Sequence, residues 1–191
     1  MNGLKFFDPI SQAGYPSLKI SYITEYHPYW LNRSSCERNP AFDDNSDKLL
    51  RLKENRVYAI DYFENLLNEV YQENWDGCAC MEIPSHDPHN SCNPVQIIIK
   101  KIVNNHNLFD YSGSLIRTKM IEKLSKGGRR DIGIHLSSMA LRENIDIEDK
   151  KILLLDDVVT TGNSLIAACK ILFCHGAKEV FPLALARTVR G

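Results

Sequence analysis

Residues 151–165 read Lys151-Ile-Leu-Leu-Leu-Asp-Asp-Val-Val-Thr-Thr-Gly-Asn-Ser-Leu165: an apolar run, two adjacent acids, a loop of small polar residues, then the opening of a helix. The run Lys151 to Leu155 has no polar alternation, which predicts a strand buried on both faces, as in parallel sheets. A helix follows from Ser164 to His175, stopped by Gly176, and then a strand from Val180 to Ala186. Strand, helix and strand in this order predict an α/β fold: a parallel sheet flanked by helices, with its binding site at the carboxyl ends of the strands.

The loop carries the chemistry. A helix starting near Ser164 turns its first N–H groups and the positive end of its dipole towards the loop, where an anion such as phosphate is favoured. Thr160, Thr161 and Ser164 add hydroxyl donors, and Gly162 permits close backbone approach and a positive φ. Asp156 and Asp157 are repelled by the same anion, so they suit another part of the ligand: vicinal sugar hydroxyls beside a hydrated Mg²⁺. A terminal phosphate next to a diol describes a ribose 5-phosphate. A plain strand-to-helix turn capped by Ser164 leaves two acids at the end of a buried strand unexplained. A nucleotide P-loop is excluded, because the G-x-x-x-x-G-K spacing and its lysine are missing.

Upstream, alternating elements continue the pattern. Val57, Ile60, Phe63, Leu66, Leu67, Val70 and Tyr71 have helical spacing. Cys78 to Ile83 reads as a strand, Pro94 to Asn104 as a helix, Leu115 to Arg117 as a short strand or its exit, and Ile134 to Arg142 as a helix. The first 50 residues, rich in Tyr, Pro, Asn and Ser, read as hairpin and loop, with an extended run from Leu18 to Thr24 and a polar stretch from Asn32 to Asp47.

The loop resembles the signature for 5-phosphoribosyl 1-diphosphate (PRPP) in type I phosphoribosyltransferases. Arg117-Thr118, Leu124, Arg129-Arg130, Gly176-Ala177, Val180 and Leu185-Ala-Arg187 look most like the ComF-like branch, over roughly Gly77 to Arg187. The resemblance implies one domain over 1–191, with a PRPP-binding core at 76–191 and a variable, hood-like segment at 1–75. It also implies that Asp156 and Asp157 hold the ribose hydroxyls and, with Asp87, the Mg²⁺. Val159, Thr160, Thr161, Gly162, Asn163 and Ser164 form the 5-phosphate cradle; Ser85, His86 and Arg117 complete the PRPP contacts. Arg117 to Arg130 is then a lid whose Arg129 and Arg130 neutralise the departing diphosphate. Purine-salvage members carry an aspartate at the position of Thr160, so hypoxanthine and guanine are not expected acceptors.

Two other groups of residues bear readings. Cys78, Cys80, His86, His89 and Cys92 include good zinc ligands, but without a CxxC pair the default is buried thiols and exposed histidines. Tyr22, Tyr26, Tyr29, Trp30 and Phe42 make the first third aromatic, which serves packing or stacking on an acceptor equally well.

Composition narrows the class. A 191-residue chain, 43% hydrophobic and 25% charged, fits one globular core. The net charge of -1 offers no general attraction to polyanions, so nucleic acid is not an expected partner, and DNA association by analogy with ComF ranks last. The start MNGLKFFDPISQAG lacks a secretory pattern, no apolar stretch reaches the roughly 18 residues of a membrane span, and six cysteines without CxxC suit a reducing cytoplasm. The expectation is a Mg²⁺-dependent phosphoribosyltransferase. The rivals are a PRPP-hydrolysing toxin or defence effector and a non-catalytic PRPP-sensing regulator, with a homo-oligomer or a regulatory protein as the partners left open.

Overall fold

The computed structural model describes residues 3–9, 18–32, 34–89, 93–121 and 131–189. Along the chain these form β1 (Lys5–Phe7), β2 (Ile20–Tyr26), β3 (Trp30–Asn32), β4 (Glu37–Arg38), α1 (Asp44–Lys53), α2 (Val57–Glu69), β5 (Ala79–Glu82) and α3 (Pro94–Asn105). They continue as β6 (Phe109–Asp110), β7 (Leu115–Arg117), α4 (Ile132–Leu136), β8 (Met139–Leu141), β9 (Lys151–Val159), α5 (Asn163–Cys174) and β10 (Glu179–Thr188).

The central sheet has the order β1-β2-β10-β9-β5-β6, and every neighbouring pair is parallel except β1 with β2. This is the α/β sheet that the strand-loop-helix-strand pattern predicted. Side chains of β9 alternate between two cores. Leu153 and Leu155 face Phe63, Leu66, Ile98 and Ile99 of α2 and α3. Ile152 and Leu154 face Leu165, Ala168 and Leu172 of α5. Burial on both faces explains why the strand reads as a continuous apolar run.

Local signals fix most helix starts. Asn93 caps α3, its Oδ1 accepting from the Val95 N–H at 3.0 Å, and Pro94 takes the first helical position where no N–H is needed. Asp43 caps α1 by accepting from the Ser46 N–H at 2.8 Å. That helix corrects the reading of the first 50 residues as hairpin and loop: Ser46, Leu49 and Leu52 are buried along one face, and the polar residues between them cover the other.

The helix expected over 134–142 is also corrected. Asp131 caps α4 earlier, accepting from the Gly133 N–H at 2.8 Å, and the helix ends at Leu136. The Ser138 hydroxyl donates back to the Ile134 carbonyl at 2.5 Å, and the chain turns into β8. β8 pairs with β7 in a two-stranded antiparallel sheet (Leu115 with Leu141, Arg117 with Met139), where cross-strand pairing overrides the helical spacing.

The segment read as a hood does two jobs. It supplies β1 and β2 to one side of the sheet, β2 lying between β1 and β10, and packs α1 and α2 on one face, while the β3–β4 hairpin follows the carboxyl end of β2. Tyr29 stands edge-on to Trp30 and to Phe42 beside that hairpin. No helix of the described residues is long and apolar enough to cross a membrane.

Candidate functional site

The carboxyl ends of β2, β10, β9 and β5 lie along one edge of the sheet. β9 does not stop at Leu155: it runs through Asp156 and Asp157 to Val159, registered against Ala184 to Arg187 of β10. The strand's alternation therefore assigns the two acids to opposite faces. Asp156 turns towards α5 and accepts from the Ser164 hydroxyl at 3.3 Å, and its Oδ1 accepts from the Asp157 N–H at 2.9 Å. Asp157 turns towards α1, where the Lys53 ammonium lies 3.2 Å from Oδ2. Burial first, and then the neighbouring Asp157 charge, push the Asp156 carboxyl well above the usual carboxylate range. Asp157, with Asp156 and Tyr26 adding to it, raises the Lys53 ammonium above its ordinary value.

The loop after β9 is shaped by contacts behind it. Gly162 takes φ +83°, and a Cβ there would lie 2.7 Å from Ile20 Cδ1, 3.3 Å from Pro9 Cβ and 3.6 Å from Phe7 Cε1. Glycine is thus required twice, for the left-handed backbone and for the approach of β1 and β2. Val159 is 2% exposed and packs in the α5-side core, so it offers the loop main chain only. Thr160 Oγ1 lies 2.8 Å from Thr188 Oγ1, joining the loop to the end of β10. α5 starts at Asn163, one residue before the expected Ser164, with Gly162 as its cap residue. Its positive dipole end therefore faces the loop. Arg187 lies over the Phe7 ring at 4.2 Å from the centroid, fixing β1 against the end of β10.

The turn after β5 is held by a buried guanidinium. Arg117, expected among the ligand contacts, is 6% exposed. Its Nε donates to the Ser85 carbonyl at 3.1 Å, one terminal nitrogen to the Ser138 hydroxyl at 2.8 Å, and the other to the Pro84 carbonyl at 3.4 Å. These bonds hold the path of the turn. Burial lowers the Arg117 guanidinium to about 10, with Asp156 acting the other way. Within the turn, Ser85 Oγ accepts from the Asp87 N–H at 3.3 Å and Asp87 Oδ1 accepts from the His89 N–H at 2.9 Å. The His86 carbonyl accepts from the Ile121 N–H at 3.1 Å, tying the turn to the segment after β7. Arg129 and Arg130, expected as the cations of a lid, lie outside the described residues, as does Cys92.

Cys78 and Cys80 are fully buried on the α2–α3 side, and burial pushes their thiols up to about 11 and 12. They are neutral core residues. Among the described residues no group of three His, Cys, Asp or Glu side chains is placed to hold a metal ion. The carboxylates at the sheet edge, Asp156 and Asp157 on separate faces, are hard oxygen donors of the kind that would help hold a Mg²⁺.

With this geometry, comparison with known proteins is decisive at one point: residues 94–187 match the family model described as the phosphoribosyl transferase domain. Residues 94–187 are thus similar to the phosphoribosyl transferase domain. The matched part of the domain spans α3 to β10, and so includes β9, the loop and α5, and begins after the Pro84–His89 turn. A ribose-phosphate pyrophosphokinase from Pyrococcus abyssi is 25% identical over 189 residues, 93% of this chain and 60% of that protein. The chain thus spans about 60% of the length of that curated relative. Two solved structures of a hypoxanthine phosphoribosyltransferase from Staphylococcus aureus, in tetragonal and orthorhombic crystals, align at 12% identity with TM-scores of 0.39 and 0.36. Each alignment covers 76% of this chain and 74% of the other.

Sequence reasoning missed Lys53 at this site. It sits at the end of a helix read as loop, and its partner comes from the other half of the chain. Its one local signal is the helical spacing of Ser46, Leu49 and Leu52, which places a helix end there.

Proposed function

We propose that this chain binds PRPP in the presence of Mg²⁺ and transfers its phosphoribosyl group to an acceptor other than hypoxanthine or guanine. The observation that carries this is the β9–loop–α5 junction, where Gly162 at φ +83° folds a hydroxyl-rich loop over the start of a 12-residue helix beside Asp156. In this reading the 5-phosphate lies at the loop, against Thr160, Thr161 and Ser164 and the main chain of Val159, Gly162 and Asn163. Asp156 and Asp157 address the ribose hydroxyls, and Ser85 and His86 line the diphosphate end with Asp87 beside it. Mg²⁺, when bound, neutralises diphosphate charge. The chain's own residues orient the ribose and place the leaving group, and no protein nucleophile is needed. Thr160 supports the acceptor assignment, because its hydroxyl is engaged with Thr188 and cannot serve as a carboxylate acceptor.

A second reading is favoured by the Pyrococcus relative, whose name describes pyrophosphoryl transfer to ribose phosphate. It uses the same 5-phosphate loop with the reaction at C1 run towards PRPP. The test incubates the protein with PRPP and Mg²⁺, with and without a panel of bases and amines, and separately with ribose 5-phosphate and a nucleoside triphosphate. Asp156→Ala/Asp157→Ala serves as the control. Acceptor-dependent nucleotide formation is expected. PRPP loss without acceptor identifies a hydrolase that depletes PRPP, PRPP formation identifies a pyrophosphokinase, and binding without turnover identifies a sensor. Failure to bind PRPP or ribose 5-phosphate overturns the assignment.

A further inference from the structure

The Lys53–Asp157 ion pair joins the N-terminal helix α1 to the carboxyl edge of the sheet. Lys53 is the last residue of α1, and the buried Ser46, Leu49 and Leu52 fix that helix against its neighbours, so the ammonium is delivered to the site by packed structure. The pair stays open to solvent: the side chains are 43% and 28% exposed, which leaves room for a ligand to share them. Around it the field is acidic, with Asp156 next in sequence and Tyr26 nearby raising the cation together with Asp157. Among the described residues, Arg117 near this edge is buried and directs its guanidinium to the Ser85 and Pro84 carbonyls and the Ser138 hydroxyl, and Arg187 lies over the Phe7 ring. A site that presents two adjacent carboxylates repels a polyphosphate ligand unless a positive charge stands with them.

We propose that Lys53 is a positioning residue that holds, on the Asp157 side of the carboxylate pair, the place a divalent cation would otherwise take, leaving a metal to be carried on the ligand's diphosphate. The reasoning rests on the PRPP reading for the identity of the ligand. It follows that Asp157 is held in place by Lys53 while it addresses the ribose together with Asp156, which is linked to Ser164 beside the loop, and that the helix α1 is part of the binding site. An ammonium is a compact point charge with three donors, so it can hold Asp157 and still offer a hydrogen bond to a ligand oxygen.

The experiment compares wild type, Lys53→Met and Lys53→Arg in two calorimetric titrations of PRPP, one with excess Mg²⁺ and one with chelator. Loss of one charged contact is expected to weaken chelator-state binding of Lys53→Met about tenfold, with most of the loss recovered by Mg²⁺. Lys53→Arg keeps the wild-type ratio. In a second arm, Mn²⁺ is titrated into each protein without PRPP, into the millimolar range, and followed by loss of the free-ion electron paramagnetic resonance signal. Lys53→Met is expected to bind Mn²⁺ several-fold more tightly, a gain that damage to folding does not produce. Should Lys53→Met fail to fold, Lys53→Gln takes its place.

If wild type binds PRPP and the Mg²⁺ dependence of Lys53→Met is unchanged, the role of Lys53 is overturned and the PRPP reading stands. If wild type binds no PRPP but the variant gains Mn²⁺ affinity, the PRPP reading falls and the counter-ion role stands. With neither effect, both fall.

Discussion

Gly162→Ala tests the loop geometry directly. At φ +83° an L-residue costs roughly 1–2 kcal/mol relative to the right-handed region. The new Cβ would also stand 2.7 Å from Cδ1 of the fully buried Ile20, whose side chain would have to shift within the core. Overpacking of this kind costs about 1–3 kcal/mol, for a total of about 2–5 kcal/mol. Urea unfolding followed by far-UV circular dichroism measures it. The two parts separate in a double-mutant cycle with Ile20→Val, which deletes the clashing methyl. Ile20→Val alone costs about 0.5–1.5 kcal/mol, but in the Gly162→Ala background it is expected to be neutral or stabilising, because it relieves the overlap while leaving the φ cost. Additivity of the two substitutions within about 0.5 kcal/mol would refute the contact between β2 and the loop, and a Gly162→Ala cost below about 1 kcal/mol would refute the left-handed turn itself.

Two further outcomes follow from the buried polar groups. Arg117→Met leaves the Ser85 and Pro84 carbonyls and the Ser138 hydroxyl without their donor, so a stability loss of about 2–3 kcal/mol and new protease cleavage within the Pro84–His89 turn are expected. An intact turn under limited proteolysis would remove Arg117 as its anchor. Glu82, 1% exposed, accepts from Gln96 Nε2 at 2.7 Å and the Gly113 N–H at 3.0 Å, and burial raises its carboxyl. The folded state therefore holds this proton more tightly than the unfolded chain, and stability falls as pH rises from the ordinary carboxylate range through the raised value. Glu82→Gln removes that slope, so unfolding curves from pH 4.5 to 8 should show the variant gaining on wild type as pH increases; a pH-independent difference contradicts the assignment.

The elements most legible in sequence are those with strong local patterns. The apolar run Ile152 to Leu155, the helical spacing of Val57 to Leu67 and the Asn93-Pro94 start of α3 each specify their structure within a few residues. α4 and β8 were not legible, because Ile134 to Leu141 carries helical spacing and only pairing with β7 turns its second half into a strand. α1 was obscured by its polar exposed face, although Asp43 and Ser46 hold the capping signal.

At the site, residue types and their order along one strand and loop already specify an anion-favouring turn with two acids beside it, because these depend on neighbours in sequence: strand, glycine, hydroxyls and helix start. Tertiary structure decided how those groups are used. Extending β9 to Val159 sends Asp156 and Asp157 to opposite faces, α1 brings Lys53 to one of them, and Ile20, Pro9 and Phe7 close behind Gly162. Arg117 turns inward because the carbonyls it serves belong to a turn some thirty residues earlier in the chain. Such contacts join segments whose patterns are independent of one another, and only the packing of helices on both faces of one sheet determines which of them meet.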